Sequence, residues 1–173
     1  MRYADGPGTA CETHVGAEPE TVWSLVTDVG LSARFSPELY RVEWLDGATG
    51  PVVGARFAGF NRNEHIGAWQ TVSEVVEVVS EEAYAWAVID PEGRFGPAEP
   101  GLPMSTWRFD LTPGSGGTRL RHSVRVGPGP SGLSRVIERM PEREEEIVAL
   151  RMEALRTGID ATLAGVRRLA EEG

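Results

Sequence analysis

MSTWRFDLTPGSGGTRLRHSVRV, residues 104–126, alternates apolar and polar side chains twice, once on each side of a glycine-rich break. In the first run Trp107, Phe109 and Leu111 fall on one face and Thr106, Arg108 and Asp110 on the other. In the second, Leu120, His122, Val124 and Val126 oppose Arg119, Arg121, Ser123 and Arg125. A period of two is the signature of a half-buried strand, and the break between the runs is turn chemistry, so the stretch predicts an antiparallel hairpin with one wet face. Its apolar face needs a cover.

Upstream, the same reading gives strands at residues 10–16, Tyr40–Leu45, Val52–Asn61, Ala68–Val79 and Tyr84–Ile89, and it sets the hairpin strands at Met104–Leu111 and Thr118–Val126. Between the first two strands, Glu18-Pro19-Glu20 opens a helix whose apolar face is Val22, Trp23, Leu25, Val26 and Val29. Gly30 ends it, and a second short helix runs to about Phe35. Downstream, Leu133–Met140 is a short helix, Pro141 interrupts, and a long helix reaches about Glu171. Its predicted stripe is Ile147, Leu150, Ala154, Leu155, Ile159, Thr162, Val166 and Leu169. The stripe is what the sheet covers; a coiled-coil seam is the rival, weakened by an imperfect heptad. The expected fold is α+β: a seven-stranded curved antiparallel sheet wrapped around a long C-terminal helix, with two short helices between strands one and two. Residues 1–9 are read as a flexible N-terminus and 10–171 as a single domain.

The charge of −9 argues against nucleic acid as a partner. All 17 basic residues are arginine, which excludes an internal Schiff base and a Walker phosphate loop. Three histidines spread over positions 14, 65 and 122 show no metal-ligand spacing, and the lone Cys11 reads as a small filler in a strand. Gly127, Gly129 and Gly132 match a dinucleotide-loop spacing, but Pro128 and Pro130 remove amide donors and no strand follows to complete the unit. No cofactor or metal is therefore expected. Without an apolar run able to span a bilayer, and with Gly, Pro and Asp in the first ten residues, the expected location is the cytoplasm.

Four stretches carry a resemblance: Val22-Trp23-Ser24-Leu25-Val26-Thr27-Asp28; Val53-Gly54-Ala55-Arg56-Phe57-Ala58-Gly59-Phe60-Asn61-Arg62 with Trp69 following; Ser105-Thr106-Trp107-Arg108-Phe109-Asp110-Leu111; and Gly117-Thr118-Arg119-Leu120. With the order strand, two helices, six strands, long helix, the chain resembles the helix-grip fold of the START and birch-pollen-allergen superfamily (SRPBCC), and within it the bacterial polyketide cyclase/dehydrase branch. The resemblance implies an internal cavity for a small hydrophobic ligand. It leaves the chemistry open, because that superfamily mixes cyclases and aromatases with lipid carriers and receptors.

In an antiparallel meander every second connection lies at one end, so Asn61–Gly67, Asp90–Pro103 and the exit after Val126 share an end, which we take as the cavity mouth. Asp90–Pro103 and Gly127–Met140 would gate it. Alternation nominates the lining: Val42 and Trp44; Phe57, Gly59 and Asn61; Trp69; Trp86; Ser105, Trp107 and Phe109; Leu120, His122 and Val124. Two polar groups stand in this wall, and in an enzyme His122 would carry protons and Asn61 would polarise a carbonyl. The plainer readings are ordinary core packing for the tryptophans, a satisfied core histidine for His122, and a turn cap for Asn61. Two functions follow: a cofactor-independent cyclase, aromatase or dehydratase, or a non-catalytic carrier or sensor of a hydrophobic metabolite. Either would act as a monomer or a homodimer.

Overall fold

The hairpin at residues 104–126 is the centre of a sheet that the rest of the chain completes. The computed structural model describes residues 1–64, 67–96 and 101–173. Its strands are β1 (Gly8–Val15), β2 (Leu39–Trp44), β3 (Arg56–Asn63), β4 (Gly67–Val79), β5 (Ala83–Ile89), β6 (Ser105–Gly114) and β7 (Gly117–Val126). Its helices are α1 (Pro19–Val26), α2 (Gly132–Arg139) and α3 (Glu144–Glu172), with 3-10 turns at Tyr3–Asp5, Ser32–Arg34 and Pro141–Arg143. The strands form one antiparallel sheet in the order β1-β7-β6-β5-β4-β3-β2, curled into a half-barrel that holds α3. This is the expected helix-grip architecture, with the second short helix reduced to a 3-10 turn.

Local chemistry explains the elements. Pro19 at the start of α1 has no amide to lose, and Val22 and Val26, one turn apart, are buried. In β7, Leu120, His122, Val124 and Val126 are buried while Arg119, Arg121 and Arg125 are exposed, as the period of two requires. Ser131 caps α2: its hydroxyl accepts the Ser134 amide at 3.2 Å, and the Ser134 hydroxyl reaches back to Ser131. Three glutamates, Glu144 to Glu146, occupy the positive end of α3.

The buried stripe of α3 is Val148, Met152, Leu155, Ile159, Thr162, Leu163, Val166 and Ala170. This corrects the expected stripe in the helix's first half, where Leu150 is 64% exposed and Ala154 is also exposed. Residues 147–155 carry apolar side chains on two faces, and tertiary contact chooses between them. Arg151, beside Leu150, reaches Glu38 at 3.1 Å at the foot of β2, consistent with the rotation that buries Val148 and Met152. At the far end the Gly16 amide donates to Glu171 at 2.9 Å. Gly165 completes the seating: the Phe35 ring lies where a Cβ would sit, 2.5 Å away.

The first residues make contacts with the rest of the chain. The Tyr3 hydroxyl donates to the Gly129 carbonyl at 2.5 Å, its amide donates to Glu144 at 2.9 Å, and β1 begins at Gly8 rather than at residue 10.

Candidate ligand site

Pairing register puts the nominated residues on the inner face of the sheet. Trp44 stands opposite Phe57, Val42 opposite Gly59, Asn61 opposite Trp69, Trp86 opposite Trp107, and Phe109 opposite His122. Val124 follows Trp107 across the strands, and Ser105 and Leu120 keep the same phase. A bulge in β4 between Val75 and Glu77 leaves Trp86, opposite Val75, in phase with the rest.

The structure gathers six of these rings into one cluster around Trp86. It lies 6.3 Å from Trp107 with the planes at 5°, 6.2 Å from Phe57, 5.9 Å from Phe109 and 6.0 Å from His122. Trp44 joins edge-on through Phe57 at 5.7 Å. Trp44, Trp86 and Trp107 are nevertheless only partly buried. β5 and β6 are interior strands of the sheet, and α3 packs chiefly on β1 and β7.

His122 closes the floor of this cluster. It is 3% exposed and lies flat on Phe109, ring centres 3.9 Å apart and planes at 10°. Its Nδ1 is 3.0 Å from the Arg108 carbonyl, an acceptor, so Nδ1 carries the proton and Nε2 keeps a lone pair. Among the described residues this is the ring's one hydrogen bond. Burial, opposed by the Arg108 bond, pushes its pKa down to about 4, so the ring is neutral at physiological pH. The Arg108 side chain points to the outer face, where it bridges Asp110 at 2.6 Å and Glu77, and so pins the strand that presents the carbonyl.

Other nominated residues stand apart. Asn61 is half-buried near the C-terminal end of β3, four strand spacings from β7 at about 4.8 Å each. At Gly59 a Cβ would meet Thr71 Oγ1 at 2.8 Å and Leu39 at 3.2 Å, so these side chains already fill the space above that glycine. The segments around Pro103 and Gly127 meet: Gly127 and Gly129 donate their amides to the Met104 and Pro103 carbonyls at 2.7 and 2.9 Å. Residues 97–100 of the first loop and His65 in the β3–β4 turn lie outside the described residues.

Sequence reasoning missed Tyr84. It stands opposite Phe109 in the same cross-strand row as His122, 2% exposed, 5.2 Å from Trp86, and its buried hydroxyl has no partner among the described residues. The signal was present, since Tyr84 shares the parity of Trp86. Cys11 ends this row, opposite His122, its thiol pushed up to about 11 by burial and then by Asp160, which makes it a poor nucleophile. Two surface clefts, of about 470 Å³ along β1 and the end of α3 and about 550 Å³ beside the β4–β5 turn, lie away from the aromatic rings. Among the described residues there is no group of three or more potential metal ligands, and no helix long and apolar enough to cross a membrane.

Comparison with known proteins agrees with this geometry. A solved structure of a Polyketide_cyc-like protein, Cgl2372 from Corynebacterium glutamicum, is similar at 27% identity over 95% of this chain and 91% of that one, with a TM-score of 0.63. The di-domain ARO/CYC protein StfQ of the steffimycin biosynthetic pathway shares the fold at 16% identity and a TM-score of 0.71; the match covers 95% of this chain and half of StfQ. Ara h 8.0201 shares it at 11% identity, 96% and 99% coverage and a TM-score of 0.56. No curated protein matches the chain in sequence. The family model for polyketide cyclase / dehydrase and lipid transport matches residues 10–171, nearly the whole chain, and the protein belongs to that family.

Proposed function

We propose that this protein binds a small hydrophobic, polyketide-like molecule in the cleft between its inner aromatic face and α3, and acts on it as a cofactor-independent cyclase, aromatase or dehydratase of secondary metabolism. The observation that carries the reading is the partial exposure of Trp44, Trp86 and Trp107 on the inner face of the sheet. Flat aromatic walls with few oriented polar groups suit a planar, mostly apolar ligand, and such chambers typically hold roughly 300–1,000 Å³. The family description and StfQ's ARO/CYC activity support the substrate class. We place the protein in the cytoplasm.

In this reading the cleft folds a flexible chain against the indoles and excludes water. The His122 Nε2 lone pair takes a proton from an activated carbon and returns it to the departing hydroxyl, which leaves as water. Asn61, at the mouth, holds a carbonyl at the far end of an extended substrate. A carrier is the second reading, favoured by His122 lying flat on Phe109 and kept neutral down to about pH 4. The experiment is His122→Gln with a substrate found by thermal-shift screening of aromatic polyketides. Catalysis predicts that turnover falls about 10²–10⁴-fold while affinity changes little. Undiminished turnover removes His122 from the mechanism, and tight binding without turnover in either protein establishes the carrier.

A further inference from the structure

The sheet has two edges, β1 and β2, and they are treated differently. α3 backs β1, whereas among the described residues β2 pairs with β3 alone and is touched besides by the 3-10 turn Ser32–Arg34. The Leu45 amide donates to the Arg56 carbonyl at 2.9 Å, so along β2 the amides and carbonyls of Arg41 and Glu43 turn toward β3 and those of Val42 turn outward. Exposed edges are commonly blunted by proline, lysine or an inward charge. Leu39-Tyr40-Arg41-Val42-Glu43-Trp44 has no proline, its register shifts once, between Leu39 and Arg41, and its two charges lie beyond that shift, have opposite sign and share the outer face. Arg41 is held over the Phe60 ring, 3.9 Å from its centre, and Glu43 is exposed beside it. Among the described residues neither makes an ion pair.

We propose that β2 pairs antiparallel with β2 of a second copy of this chain, across a two-fold axis through Val42, joining the two sheets into one. Charge selects that axis. An axis through Arg41 or Glu43 would set like charges face to face, which is destabilising in a sheet. An axis through Val42 lets its outward amide and carbonyl exchange bonds with the second copy's Val42. It also sets Arg41 opposite the second copy's Glu43 twice, in the pair type whose side chains approach most closely. The pairing is independent of what the cleft binds.

The test is sedimentation of the full chain through a dilution series, with the fold of each variant checked by circular dichroism. The wild type should sediment as a dimer of the 18.8 kDa chain, dissociating on dilution. R41E and E43R should each weaken association about tenfold or more, because both symmetric pairs become repulsive. The double variant R41E/E43R should dimerise again, and an equal mixture of the two single variants should form the mixed dimer. A wild type that stays monomeric at every concentration overturns the proposal. So does a dimer that the single variants leave intact or the double variant does not restore.

Discussion

His122 makes the stability of this protein depend on pH in a window that no exposed histidine would produce. Unfolded, the imidazole titrates near 6.5; folded, burial lowers its pKa to about 4. Between those values the unfolded chain binds a proton that the folded chain refuses, so stability rises with pH through the window and falls as pH drops. The contribution is present in full above about pH 6.5. About 2 kcal/mol of it is gone by about pH 5, and about 3 kcal/mol by about pH 4, at about 1.4 kcal/mol per pH unit. The matched control is His122→Asn, whose side-chain amide can still donate to the Arg108 carbonyl but does not titrate. Urea unfolding from about pH 7.5 to about pH 5 should show the wild type losing about 2 kcal/mol more than the variant. Equal slopes for the two proteins would mean that the folded ring takes up a proton as readily as the unfolded one, and the account of a buried, neutral imidazole would fail.

Gly165→Ala should lower stability by about 1 kcal/mol, since overpacking the Phe35 ring costs about 1–3 kcal/mol against a helix-propensity gain of about 1 kcal/mol. A raised urea midpoint would show that Phe35 is free to move aside. Tyr84→Phe should leave stability unchanged or raise it by about 1 kcal/mol, because the hydroxyl is buried unpaired; a clear loss in thermal unfolding would reveal a partner for it. Amides of the Gly127–Met140 segment should exchange faster than those of β5 and β6 and slow when a ligand binds, as a gate requires, and α2 buries none of its residues fully. Exchange as slow as in the core strands would remove the gate.

The sheet was legible because its strands alternate: seven were expected, and each was found within a few residues of its expected bounds. Alternation also gave the phase of Trp107, Phe109 and His122, since one-residue slips would have exposed every apolar side chain of the hairpin. The rotation of α3 was not legible. Val148, Leu150, Met152 and Ala154 leave two apolar faces in its first half, and the choice is made by the packing of Val148 and Met152 into the core, among residues far apart in sequence. Asn61 and His122 share a face, and a meander already puts three strands between them; what alternation does not say is that Phe109 rather than open space lies against the imidazole.

The claim that the inner aromatic face binds the ligand is tested most directly by the five indole N–H resonances during titration with planar aromatic polyketides. Trp44, Trp86 and Trp107 should shift together in a saturable way. Trp23, on α1, serves as the control and should stay in place. Movement of Trp23 with the other three unmoved, or no movement of any indole across the panel, would contradict it.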